Sequence, residues 1–171
     1  AIFEQENGYE TSFANWSSSN QSLMANNATQ NLTFTMPAGS LTLTAVANKI
    51  ALDSNYNVEF YYQENGEYPE TPKEGDIVTR TGKTGQTASV TSADKEAILT
   101  GYKYDTNAEN KVESAVIKAD GTTVLKVYFK QQFTVTYKPG EYGIFEDTTI
   151  SSLDYNSAIP EYTGSKYGTN G

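Results

Sequence analysis

Several groups of residues have types and spacings that could do chemistry. Lys83 stands between Gly82 and Gly85 and is followed by Thr84, a superficial likeness to a phosphate loop. That loop needs Gly-x-x-x-x-Gly-Lys-Ser/Thr opening a long helix, because backbone amides and the helix dipole hold the phosphates. Here Gly75 precedes Gly82 by seven residues, two too many, and a β-rich segment follows, so a glycine-permitted turn is expected. Asp105, Asn107, Glu109 and Glu113 form an oxygen-rich cluster of the kind that holds Ca²⁺. A calcium loop of the EF-hand type wants Gly at its sixth position and Glu at its twelfth; this chain offers Asn110 and Val116, which points to a solvated acidic loop. Paired carboxylates for glycoside hydrolysis can be drawn from Glu59 with Glu64 or Glu67, but nothing in the sequence encloses them or raises a pKa by burial. The expectation is no catalysis, no metal and no cofactor.

Tyrosine is the stronger signal. By alternation Tyr61 and Tyr128 lie on the face opposite the apolar positions, and Tyr68 sits in the loop from Gly66 to Pro72. Exposed tyrosines bind sugars or protein surfaces at low entropic cost, although cross-strand packing also uses them. Tyr61, Tyr68 and Tyr128 are therefore the candidate binding residues. Phe13 and Trp16 are expected to fill a core. Asn-x-Ser/Thr sequons at Asn15, Asn20, Asn27 and Asn31 are matches of the sort that abundant Asn, Ser and Thr produce by chance.

Composition narrows the field. The 171 residues contain neither Cys nor His, which removes disulfides, Cys or His nucleophiles and zinc sites built on thiolate or imidazole. A net charge of −9 argues against nucleic acid as partner, whose phosphates need a basic face. The acidity is even: residues 1–57, 58–131 and 132–171 each come to −3. No apolar run approaches the ~18 residues of a membrane span, so no membrane insertion is expected. No signal peptide is seen, so a secreted origin would be that of a mature fragment.

The elements that must position these residues are strands. Thr (22 residues) and Tyr (13) favour strands, and charged residues are 19% where an average domain has roughly 25%. Leu32, Phe34 and Met36 alternate with Thr33 and Thr35, and a Pro37-Ala38-Gly39 turn leads to alternating Leu41 and Leu43, which predicts a hairpin. Val58, Phe60 and Tyr62 share one face of a further strand. Ala115 to Lys118 leads through Asp120-Gly121, a strong turn signal, to an arm on which Leu125, Val127 and Phe129 face opposite to Lys126, Tyr128 and Lys130. Phe133, Val135 and Tyr137 repeat the pattern. Thr91 with Asp94 three residues on is a capping box ahead of Ala93 to Leu99, a helix of two turns at most, a 3₁₀ segment or an irregular crossover, ended by Gly101. Joints are expected near 48–57 and, almost without linker, near 130–133, giving a semi-rigid rod.

The order Asn57-Val58-Glu59-Phe60-Tyr61-Tyr62-Gln63, Thr81-Gly82-Lys83-Thr84-Gly85-Gln86, Gly101-Tyr102-Lys103-Tyr104 and Val124-Leu125-Lys126-Val127-Tyr128-Phe129 resembles the MucBP-like (mucin-binding-protein) repeats of Gram-positive surface proteins, over roughly 57–131. On the N-terminal side, Gly8-Tyr9, Phe13 and Trp16 followed by Thr33 to Gly39 and Leu41 to Ala45 resemble the second half of an internalin-B-type (Listeria–Bacteroides) repeat. Residues 133–171 resemble its first half, through Phe133 to Pro139, Gly143, Phe145 and Ala158-Ile159-Pro160. The resemblance implies three blocks: 1–56 as a C-terminal half-repeat, 57–131 as a MucBP-like unit, and 132–171 as an N-terminal half-repeat. The implied fold class is mainly β, a tandem of small β-grasp-like units (a twisted sheet with one short helix or crossover), elongated.

Incomplete copies at both ends would place this stretch inside an alternating array. Half a unit exposes strand edges, so the terminal halves are expected to pair, by folding back or by head-to-tail self-association. The implied function is that of a non-catalytic extracellular repeat module in the bacterial cell wall, an adhesin for a host glycoprotein such as mucin or immunoglobulin. A passive spacer, or an accessory module of a secreted carbohydrate-active enzyme, are the alternatives. Gram-positive surface modules sometimes carry Lys–Asn or Lys–Asp isopeptide cross-links, which need a buried Lys; every Lys here falls at a predicted surface or turn position.

Overall fold

A computed structural model describes residues 2–20, 28–141 and 143–164. The protein is mainly β. Among the described residues nine strands run in the order β1 (Tyr9–Ser18), β2 (Leu43–Ala51), β3 (Asp53–Tyr62), β4 (Ile77–Lys83), β5 (Thr87–Ser89), β6 (Tyr102–Tyr104), β7 (Ser114–Val116), β8 (Thr123–Tyr137) and β9 (Thr148–Asp154). β1 and β2 form a two-stranded sheet, and β5 pairs with β7. The largest sheet has the order β4-β3-β8-β6, with β9 also on β8. The chain divides into two compact units, Ala1–Tyr56 with Arg80–Ala88 and Val116–Thr123, and Asn57–Thr79 with Ser89–Ala115 and Val124–Gly171.

In the first unit, β1 pairs antiparallel with β2 from Tyr9↔Ala51 to Ser18↔Leu43. The register shifts between Phe13 and Asn15. One extra residue at that bulge lets Phe13 and Trp16, three apart, bring their rings to 5.6 Å. The hairpin expected from 32–36 and 41–44 does not form: residues 32–37 carry no strand, and β2 takes β1 as its partner along its whole length. Pro37, which has no N–H to give a ladder, and a Gly39 at φ 108 end the first arm without returning it on itself. After β4 ends, residues 83–86 make a turn: Gln86 N–H donates to the Lys83 carbonyl (3.0 Å) and Gly85 has φ 82. A Cβ at Gly85 would collide with the Tyr9 hydroxyl, so both backbone angle and space require glycine. Lys83 Nζ pairs with Asp53 at 2.9 Å.

In the second unit, period-2 alternation builds the core. Val58, Phe60 and Tyr62 of β3 and Leu125, Val127 and Phe129 of β8 are all buried. Phe129 lies under three rings, with centroids 5.1 Å from Tyr62, 6.2 Å from Tyr104 and 6.3 Å from Phe60. β8 runs unbroken through 130–133, where a joint was expected. β6 pairs antiparallel on its inner part (Tyr104↔Phe129) and β9 on its outer part (Phe133↔Leu153). A second bulge falls between Phe133 and Val135, opposite Ser152 at φ 63. The Asp120-Gly121 turn, which belongs to the first unit, forms, but β7 turns to β5 instead of β8, and the Thr123 hydroxyl holds the turn by accepting from Lys118 N–H at 2.8 Å.

The helical segment is a single 3₁₀ turn, Ala93–Lys95. Its capping box is closed reciprocally: Thr91 N–H and Oγ1 both donate to Asp94 Oδ2 at 2.8 Å, and Asp94 N–H donates to Thr91 Oγ1 at 3.2 Å. Ile98 and Leu99 beyond it are exposed, so no apolar face rewards a longer helix. Thr91→Val, which removes the hydroxyl and keeps the shape, should cost about 1 kcal/mol in chemical denaturation.

Candidate functional site

Tyr61 and Tyr128 do lie opposite the apolar face, but that face is covered. Tyr61 is 2% and Tyr128 5% exposed, a correction to the expectation that they face solvent. They stack on each other at 4.6 Å and 13°, and the buried Ala108 joins their cluster. Tyr68, from the loop after β3, is half-buried and meets Tyr128 edge-on at 4.9 Å and 82°. The structure thus gathers all three candidate tyrosines, as a packed cluster with one accessible member. What covers the face is the segment after β6, which carries no apolar run to announce it.

Asp105 fastens that cover. The carboxylate is almost fully buried; Tyr68 Oη donates to Oδ2 (2.8 Å) and Asn107 N–H to Oδ1 (2.9 Å), while Lys130 Nζ lies 3.7 Å away. Charge-assisted bonds of this kind satisfy a buried carboxylate. Burial and the Asp105 hydrogen bond push the Tyr68 phenol well above its ordinary range, and burial, then Glu59, does the same for Tyr61. Tyr61 Oη donates to Glu59 at 2.6 Å.

Beside this cluster opens a cleft of about 610 Å³. Its lining comes from the loop after β3 (Tyr68, Pro69 and Glu70), from the segment after β6 (Asp105 and residues 107–110), and from Val112, Lys126 and Tyr128. Lys126 Nζ sits 5.5 Å over the Tyr61 ring, a cation–π contact. Three members of the oxygen-rich cluster, Asp105, Asn107 and Glu109, line the cleft, and the buried Asp105 departs from the solvated acidic loop expected there. Glu113 does not line it: its carboxylate pairs with Lys95 (2.5 Å) and accepts from Tyr104 Oη (2.6 Å). Among the described residues no three acidic side chains converge as a metal site would require.

The other candidates are placed separately. Glu64 and Glu67 bond each other through backbone groups across a tight turn, and the Glu64 carboxylate pairs with Lys73. Asn15 Nδ2 donates to the Trp16 carbonyl, and Asn27 lies outside the described residues. Lys130 corrects the expectation that every Lys is at the surface: it is 27% exposed and stands 3.7 Å from both Asp105 and Asp154, an ion-pair arrangement. The Asp105 role was missed in sequence because its partners, Tyr68 and Lys130, are distant in the chain. No protein-family model, curated protein or solved structure matches this chain.

Proposed function

We propose that this chain is a non-catalytic extracellular module of a bacterial cell-wall protein, built of β-grasp-like repeats, that binds a host glycoprotein of the mucin or immunoglobulin class. The observation that carries the reading is the cleft beside the tyrosine cluster, concave and mixed in polarity, with one half-buried aromatic ring and several amide and carboxylate groups on its walls. The MucBP-like motif order supports the choice of partner. A passive spacer is the second reading, favoured by one observation: β8 is continuous over fifteen residues and leaves no loop at 130–133.

Surface plasmon resonance on purified mucin and on immunoglobulin tests the first reading. Asn110→Trp places a bulky ring on an exposed rim residue and should weaken binding about tenfold or more, with unchanged thermal stability. Saturable binding that this variant leaves intact would move the site elsewhere. Absence of binding to both partners favours the spacer.

A further inference from the structure

We infer that the cleft selects uncharged, hydroxyl-rich sugars and rejects acidic ones; this rests on the proposed function and adds the ligand class. The lining includes Glu70 and Glu109, both exposed, and the buried Asp105. Ionised carboxylates only accept hydrogen bonds, so a ligand must arrive with donors, which sugar hydroxyls are. Asn107 and Asn110 add amides that both donate and accept, the complement of a hydroxyl.

Charge sets the selection. Among the described residues Lys126 is the one basic member of the lining, against three acidic ones. Its ammonium is engaged over the Tyr61 ring, and Lys130, near Asp105, does not line the cleft. An anionic sugar would add its own carboxylate or sulfate to this surplus, with Lys126 alone to offset it. A neutral ligand meets no such repulsion.

The test compares N-acetyllactosamine with its sialylated form, each immobilised at equal density, against the whole chain. The neutral glycan should bind about tenfold or more tightly at low salt, and the gap should narrow as salt screens the rim. Glu70→Gln with Glu109→Gln removes two exposed negative charges without touching the core and should raise binding of the sialylated form toward that of the neutral one. Equal or tighter binding of the sialylated glycan by the unaltered chain would falsify the inference while leaving the adhesin reading intact. So would a preference that the double variant does not change. If neither glycan binds although mucin does, the cleft does not take these sugars and the inference falls; if mucin and immunoglobulin also fail, the adhesin reading falls with it.

Discussion

Phe129→Ala should be among the most damaging single substitutions, lowering unfolding free energy by roughly 3–5 kcal/mol, because a fully buried ring leaves a cavity that its neighbours only partly fill. Three aromatic partners lose their contact at once, and the rings of Tyr62, Phe60 and Tyr104 come from β3 and β6 on either side of β8. Collapse around the hole would have to shift two strands. Urea titration followed by tryptophan-independent far-UV dichroism measures the effect. A loss under about 1 kcal/mol would mean that the aromatic group is not the core of the second unit. Phe129→Leu, which keeps most of the volume, should recover much of the loss.

Alkaline pH should unfold the protein through its phenols. Tyr104 is pushed up to about 12 from an ordinary 10.0, by burial first and then by its hydrogen bond to Glu113. Tyr61 and Tyr68 are shifted in the same direction, again by burial first. A raised folded-state value means that the native chain holds these protons while the unfolded chain releases them. The stabilising contribution is complete below about pH 10 and is lost progressively as pH rises toward about 12, the Tyr104 value. Melting temperature should therefore fall steeply over that window. Tyrosinate absorbance should show two classes, one titrating normally and one appearing only with loss of structure. Tyr68→Phe, which cannot ionise, should flatten the pH dependence. A single normal titration of all thirteen tyrosines in the folded protein would contradict it.

The sequence was most readable where the two-residue period is uninterrupted. Val58, Phe60 and Tyr62, and Leu125, Val127 and Phe129, identify both the strands and their buried faces without reference to the rest of the chain. β1 was hidden because its bulge breaks the period: Phe13 and Trp16 share a face only once the extra residue is known. β9 is interrupted in the same way, at Ser152. The tyrosine cluster was half legible. Alternation correctly put Tyr61 and Tyr128 opposite the apolar face, but whether that face is wet depends on Asp105 and Tyr68, thirty-seven residues apart, finding each other. A polar loop can cover a sheet through one buried carboxylate, and no local pattern encodes that. The capping box was readable to the atom, and of the alternatives left open after it the 3₁₀ turn is the one that forms, a choice that tertiary burial makes and local sequence does not.

The unbroken course of β8 constrains how this chain can vary. Its inner residues are paired through β6 at Tyr102–Tyr104, and its outer residues through β9 from Gln132 to Tyr137. Inserting or deleting one residue at Gln131 would leave the inner side chains in place and turn Phe133, Val135 and Tyr137 to the opposite face. Length changes at this position are therefore tolerable in pairs, or with a compensating bulge, and a family of such chains would record that as an even-numbered gap.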